Sequence, residues 1–140
     1  MVVYWYSVID SPFMEQLSAV LAGEKIRLQP VRLSGDFAFS MAGDRQLRSG
    51  DIIILLLDSP MEIEQFLKIR ELLADFRLII LLTDNREEMV TRAHALMPRF
   101  LSTIEEDIGE TVRVVERMVR RSAHQETTGR NRQKLTQRQP

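Results

Sequence analysis

The sequence predicts one α/β domain: a doubly wound parallel sheet with helices on both faces. Three observations predict it. Short apolar runs alternate five times with segments of helical period. One of these runs, Ile52 to Leu57, is six consecutive Ile and Leu residues, the pattern of a strand buried on both faces. The length, 140 residues, suits a single domain of ordinary size.

The first run, Val2 to Ile9, is aromatic and β-branched, a strand signal. Asp10, Ser11 and Pro12 form a turn, with Ser11 as helix N-cap and Pro12 at the first helical position. Phe13, Leu17, Val20 and Leu21 then recur at helical spacing as far as Gly23, a stop signal. Ile26 to Leu33 is the second strand, and Pro30 within it points to an edge position. Ser34 to Asp36 is a turn, and Phe37 to Leu47 a weaker helix interrupted by Gly43.

Asp51 to Leu57 is the clearest strand. A helix is expected from Met61 to Asp75, with Ile63, Phe66, Leu67, Ile69, Leu72 and Leu73 facing inward. Leu78 to Leu82 is a buried strand, Glu87 to Leu96 a helix and Pro98 to Ser102 a fifth strand. Asp107 to Arg121 is the last helix, striped by Ile108, Val112, Val115 and Val119. Strands and helices in this order imply parallel strands joined by right-handed crossovers. In such sheets chemistry sits at the carboxyl ends of the strands. That directs attention to Asp10, to Leu56 through Ser59, to Thr83 and Asp84, and to Ser102 and Thr103.

Composition narrows the function classes. Hydrophobic residues make up 44% and charged residues 28%, a globular balance. The chain has no cysteine, which excludes disulfides and thiolate metal sites and fits a reducing cytoplasm. The opening MVVYWYSVIDSPF lacks the basic flank and cleavage site of a signal peptide, and its apolar run is too short to span a membrane. The expected setting is therefore cytoplasmic, with no membrane partner. A net charge of −1 gives no overall nucleic-acid footprint.

The charge is unevenly placed. Ser122 to Pro140 carries four basic residues and one acid, a net +3, against −4 for the rest. That segment has almost no apolar residues, and it is expected to be a flexible basic linker, 122–140, behind a domain of residues 1–121. His94 and His124 have no partner at ligand spacing, and His94 is expected on a helix surface. Trp5 is expected to pack in the core or at its edge. No Ser-His-Asp order, glycine-rich phosphate loop or dinucleotide fingerprint is present.

Several segments, in order, resemble the receiver domain of bacterial response regulators. IDSPFMEQLSAVL resembles the end of its first strand and start of its first helix; DIIILLLDSPM resembles the third strand and following loop. LIILLT resembles the fourth strand, which ends in Thr or Ser, and PRFLSTI the fifth, where a Lys-Pro pair normally follows. The resemblance runs from about Val2 to Arg121. It implies a flavodoxin-like, CheY-like (βα)5 fold with strand order 2-1-3-4-5.

The chemistry of that family uses five groups. Two acids after the first strand hold Mg²⁺, and an Asp at the end of the third strand accepts the phosphoryl group. A Thr or Ser and a Lys then bind the phosphoryl oxygens. In this chain the first acid falls on Ile9, leaving Asp10. The acceptor position falls on Leu56, four residues before Pro60 and five after Asp51. The Thr position falls on Thr83, the Lys position on Thr103 and the following Pro on Ile104. Asp10 and Thr83 are the two groups that survive.

The resemblance therefore implies a non-enzymatic pseudo-receiver acting by protein contact, without cofactor. Partners are expected on the face of the fourth helix, fifth strand and fifth helix, about Glu87 to Arg121, where Val114 and Met118 could form a homodimer patch. KLTQRQP at the end resembles the opening of the helix-turn-helix output domain of LuxR/NarL-type transcription regulators. On that reading DNA is contacted through a C-terminal domain beyond this chain. Two alternatives stay open. Asp58 could accept a phosphoryl group with Mg²⁺ held by Asp10 and Asp58, or the fold could bind a small ligand. Asp58 is otherwise expected to be a turn or cap residue, Thr83 to bond the backbone, and Asp84 to cap the next helix or block the pocket.

Overall fold

A computed structural model describes residues 1–31, 51–104 and 108–138, with side chains to 124. The elements are β1 (Val2–Ser7), α1 (Phe13–Val20), β2 (Arg27–Pro30), β3 (Ile52–Leu57) and α2 (Pro60–Leu67). They continue with α3 (Arg70–Leu73), β4 (Arg77–Leu82), α4 (Glu87–His94), β5 (Phe100–Thr103) and α5 (Ile108–Arg138). The turn at 34–36 and the weak helix at 37–47 lie outside the described residues.

All five strands are parallel, in the order β2-β1-β3-β4-β5. This is the doubly wound flavodoxin-like sheet. The chain runs from β1 outward to β2, then crosses back to β3 on the other side of β1. The switch point therefore lies between the carboxyl ends of β1 and β3. β2 pairs only with β1, so Pro30 sits on an edge, where its missing N–H breaks no ladder.

Strand periodicity divides the core in two. Tyr4, Tyr6, Ile53, Leu55 and Leu57 face Ile63 and Phe66 of α2, Leu73 of α3, and Met89 and Ala93 of α4. Val3, Ile54, Leu56, Ile79 and Leu81 face Phe13 and Leu17 of α1 and Val112, Val115 and Val119 of α5. All six β3 residues are buried, as a strand with helices above and below requires. Each fully buried Ile or Leu contributes about 1.5–3 kcal/mol. Trp5 is half-buried against the second cluster. Ion pairs tie neighbouring helices: Arg92 joins Glu64 of α2 to Glu88 of α4, and Arg120 pairs with Glu24 beyond α1 and donates to the Val20 carbonyl at its end.

Several sequence expectations change. α1 begins at Phe13 with Pro12 as N-cap; Ser11 Oγ still accepts the Phe13 N–H at 3.3 Å. Met14 is buried in place of Val20, which points to solvent. The helix ends at Val20 with Leu21 as C-cap, and Gly23 follows with a φ of 92°, a left-handed turn that glycine takes without strain. The single helix expected from Met61 to Asp75 is two, because Ile69 leaves helical geometry at φ −114°, ψ 22°; Leu72 is turned outward.

The last helix ends at Arg138, not Arg121, so the segment expected as a flexible linker from 122 is helical in its backbone. Two physical facts account for this. Ser122 is buried, so the body still holds the chain there. Beyond it, Gln, Glu, Arg and Lys are good helix formers even without an apolar stripe, and the next proline is Pro140.

α4 ends in an unusual way. Met97 has a φ of 55°, in the left-handed region that glycine prefers. Its side chain is 86% exposed, so packing does not repay the conformation. Met97→Gly is expected to raise folding stability by about 0.5–1 kcal/mol, read from urea unfolding midpoints. A loss of stability would show that contacts of the Met97 side chain outweigh the strain of its backbone.

Candidate functional site at the carboxyl ends of the strands

Register brings the candidate positions together at the upper edge of the sheet. Ser7 lies beside Leu56, and Leu56 beside Leu81; Leu57 lies beside Leu82, and Leu82 beside Thr103. The loops after β1, β3, β4 and β5 therefore emerge side by side.

Asp10 stands in the β1–α1 loop, exposed. Ser7 shapes that loop: its hydroxyl donates to the Ile9 carbonyl at 2.9 Å and accepts the Ile9 N–H at 3.2 Å. Asp10 lines a depression of about 570 Å³ at the β1 end, together with Trp5, Ser7, Met14 and Leu56. Leu56 supplies the aliphatic wall. It is 1% exposed, an interior residue of β3 whose side chain touches both the core and this depression.

Asp58 does not share that depression. It follows the last residue of β3, and its Oδ1 accepts the Thr83 hydroxyl at 2.7 Å. Thr83 in turn donates its backbone N–H to the Leu57 carbonyl at 3.1 Å, extending the β3–β4 ladder. Two expectations are corrected. Thr83's side chain bonds a carboxylate rather than backbone, because register sets it against Asp58. Asp58 is not the helix cap; Ser59 is, with extended backbone at φ −143°, ψ 154°.

The α2 cap reaches further than sequence reasoning expected. Ser59 Oγ accepts the Glu62 N–H at 3.4 Å, and Glu62 Oε1 accepts the N–H groups of Asp58 at 2.9 Å and Ser59 at 3.1 Å. The other carboxylate oxygen, Oε2, accepts the Tyr6 hydroxyl at 2.7 Å. One carboxylate thus joins β1, the β3–α2 loop and the first turn of α2. Burial pushes the Tyr6 phenol above its ordinary range, and Glu62 adds to this by hydrogen bond and by charge. A phenol raised in the fold contributes stability that is present below about pH 10 and lost as pH rises through its folded value. The S-x-x-E spacing was a readable signal for Glu62; nothing in the sequence pointed to Tyr6. Glu62→Ala leaves two N–H groups and a buried hydroxyl without their acceptor. It is expected to cost about 2 kcal/mol by urea unfolding, and to lower the alkaline midpoint of the tyrosine absorbance titration.

Asp84 neither caps α4 directly nor closes the Asp10 depression. It accepts the Arg86 backbone N–H and Nε, both at 3.0 Å, and Arg86 is the N-cap. The hydrogen bond from the Arg86 guanidinium, then that from its backbone, hold the Asp84 carboxyl below the usual carboxylate range. Thr103 is half-buried at the end of β5, beside Leu82, and Ile104 follows with its N–H on the Leu82 carbonyl at 3.0 Å. Among the described residues, no group of three or more His, Cys, Asp or Glu side chains could hold a metal ion. Val114 and Met118 are half-buried on α5, and Met118 packs against the second core cluster. His94 and His124 are exposed. No helix among the described residues is long and apolar enough to cross a membrane.

No family model matches the sequence, and neither does any curated protein. Solved structures do share the fold. A pilus assembly-related protein of Burkholderia pseudomallei superposes with a TM-score of 0.62 at 15% identity, over 89% of this chain and 90% of that one. A response regulator protein of Burkholderia multivorans gives 0.57 at 15% identity, over 84% and 93%. A CheY-like response regulator of Mesorhizobium loti gives 0.52 at 20% identity, over 81% and 94%. The fold is that of receiver domains.

Proposed function

We infer that this chain is a signalling module of receiver architecture that works by protein contact rather than by accepting a phosphoryl group. One observation carries the reading: the strand-end side chain that opens onto Asp10 is the aliphatic Leu56. Leu56 offers no oxygen for an acyl phosphate and none for Mg²⁺. Asp58, the nearest alternative nucleophile, lies outside that depression with one oxygen held by Thr83. The Lys position is Thr103, which brings no positive charge to a transferred phosphoryl group. The chain is then a non-enzymatic module with no resident cofactor, working in the cytoplasm.

Acetyl phosphate with Mg²⁺, followed by intact-mass measurement, tests this directly. No added mass is expected. A stable gain of one phosphoryl group, abolished by Asp58→Asn, would replace this reading with that of a phosphorylatable receiver using Asp58. Thermal shifts with nucleotides or metabolites would instead favour a small-ligand-binding domain.

The output is proposed to be transcriptional, on the likeness of KLTQRQP to the opening of LuxR/NarL-type DNA-binding domains. A homodimer through α4, β5 and α5, using Val114 and Met118, belongs to the same proposal. A second reading is favoured by the pilus assembly-related structure, with its TM-score of 0.62. On that reading the same contact module would serve pilus assembly. The two part on one observation: only the first expects the coding sequence past Pro140 to continue into a helix-turn-helix.

A further inference from the structure

The opposite end of the sheet carries a second cavity, of about 680 Å³, between α3, the start of β4 and the turn joining α4 to β5. Its floor is apolar: Leu73, Leu78 and Leu96 are buried, and Phe76 beside them stacks edge-on against Tyr4 at 6.5 Å. Around the floor stand Arg70, Arg77 and Arg99. None of the three forms an ion pair with a described residue. Glu71 and Asp75 share the lining, so the cavity holds three cations against two anions, and Asp75 has an interaction of its own. Met97, exposed on its left-handed backbone, forms part of the remaining wall with Ala74 and Ala95.

An apolar floor ringed by guanidinium groups suits a ligand that is apolar at its tip and anionic at its flanks. Arginine pairs with carboxylates through a planar fork, and its stem adds apolar surface. Methionine and arginine are enriched where proteins meet, and methionine adapts its shape to what it covers. We propose that this cavity docks an acidic segment of a protein partner. That segment seats an apolar side chain over Leu73, Leu78 and Leu96, under Met97, and gives its carboxylates to Arg77 and Arg99. The proposal rests on the reading of the chain as a protein-contact module and names the chemistry of its partner.

The test uses the full chain, ¹⁵N-labelled, titrated with two short synthetic peptides: one alternating leucine with glutamate, the other leucine with lysine. The glutamate peptide is expected to shift the amides of Leu78, Leu96 and Met97. The Arg77→Glu, Arg99→Glu double variant, shown folded by circular dichroism, is expected to lose at least about tenfold in affinity for it. That variant is expected to gain affinity for the lysine peptide. Met97→Gly is expected to weaken binding of the glutamate peptide while leaving the chain at least as stable, a combination that a purely structural Met97 does not produce. The proposal is overturned by no shifts with the glutamate peptide, by equal affinity for the lysine peptide, or by shifts confined to Asp10 and Thr83. Shifts with phosphatidylglycerol vesicles in place of peptide overturn it as well. Any of these leaves the acetyl phosphate result untouched, so failure here is distinct from failure of the contact-module reading.

Discussion

Leu56→Asp is expected to cost about 3 kcal/mol or more of folding stability at neutral pH. The position is where the receiver resemblance looks for an acidic phosphoacceptor, so the substitution appears restorative. The surroundings say otherwise. Leu56 is paired on both sides, to Ser7 and to Leu81, and packs in the cluster with Phe13, Leu17 and Val112. A carboxylate there loses hydration and gains no cation, since the Lys position is Thr103 and the charged residues sharing its depression are the acids Asp10 and Glu15. Burial and Asp10 both raise the pKa of the introduced carboxyl, so the neutral form is favoured in the fold. The penalty is therefore smallest at acid pH and grows as pH rises through the unfolded carboxylate range. Urea unfolding at several pH values reads this. A variant as stable as the parent, phosphorylated by acetyl phosphate, would show that the depression is a receiver site lacking only its nucleophile.

Phe66→Ala is expected to cost about 3–5 kcal/mol. Phe66 is fully buried on α2 and meets the Tyr6 ring edge-on at 5.0 Å, with an interplanar angle of 77°. Its loss opens a cavity beneath Tyr6, whose hydroxyl is held by Glu62 of the same helix. The damage should therefore reach the β3–α2 loop as well as the core. Urea unfolding gives the stability, and the amide shifts of Asp58 and Ser59 report the loop. Unchanged loop shifts would show that the Glu62 network stands without the ring beneath it.

The sheet was largely legible in the sequence because strand burial writes itself into composition. Ile52 to Leu57 could be nothing but a central strand, and Pro30 marked an edge. Helix limits were less legible where packing decides them. Val20 continued the apolar spacing of α1 yet faces solvent, and the apparent helix from Met61 to Asp75 breaks at Ile69. The valine stripe marks only the packed part of α5, while helix propensity carries the backbone on to Arg138 without it. At the candidate site, the substitutions Leu56 and Thr103 were plain, since residue type alone shows what is missing. The Thr83–Asp58 and Tyr6–Glu62 bonds were not legible, because each joins residues far apart in the chain whose meeting depends on register. Met97 also gave no warning: backbone sign is invisible in a residue that tolerates so many environments.

The length of α5 has a mechanical consequence. Its 31 residues make a rod of roughly 45 Å, at about 1.5 Å rise per residue. Val112, Val115 and Val119 clamp the near end to the sheet, in the cluster that also holds Leu56. The far end travels by the tilt multiplied by the length beyond the pivot, roughly 35 Å from Val115 to Arg138, so a pivot of roughly five degrees there sweeps it through about 3 Å. A displacement too small to disturb the core at its fulcrum becomes, at Arg138, a stroke large enough to make or break a contact.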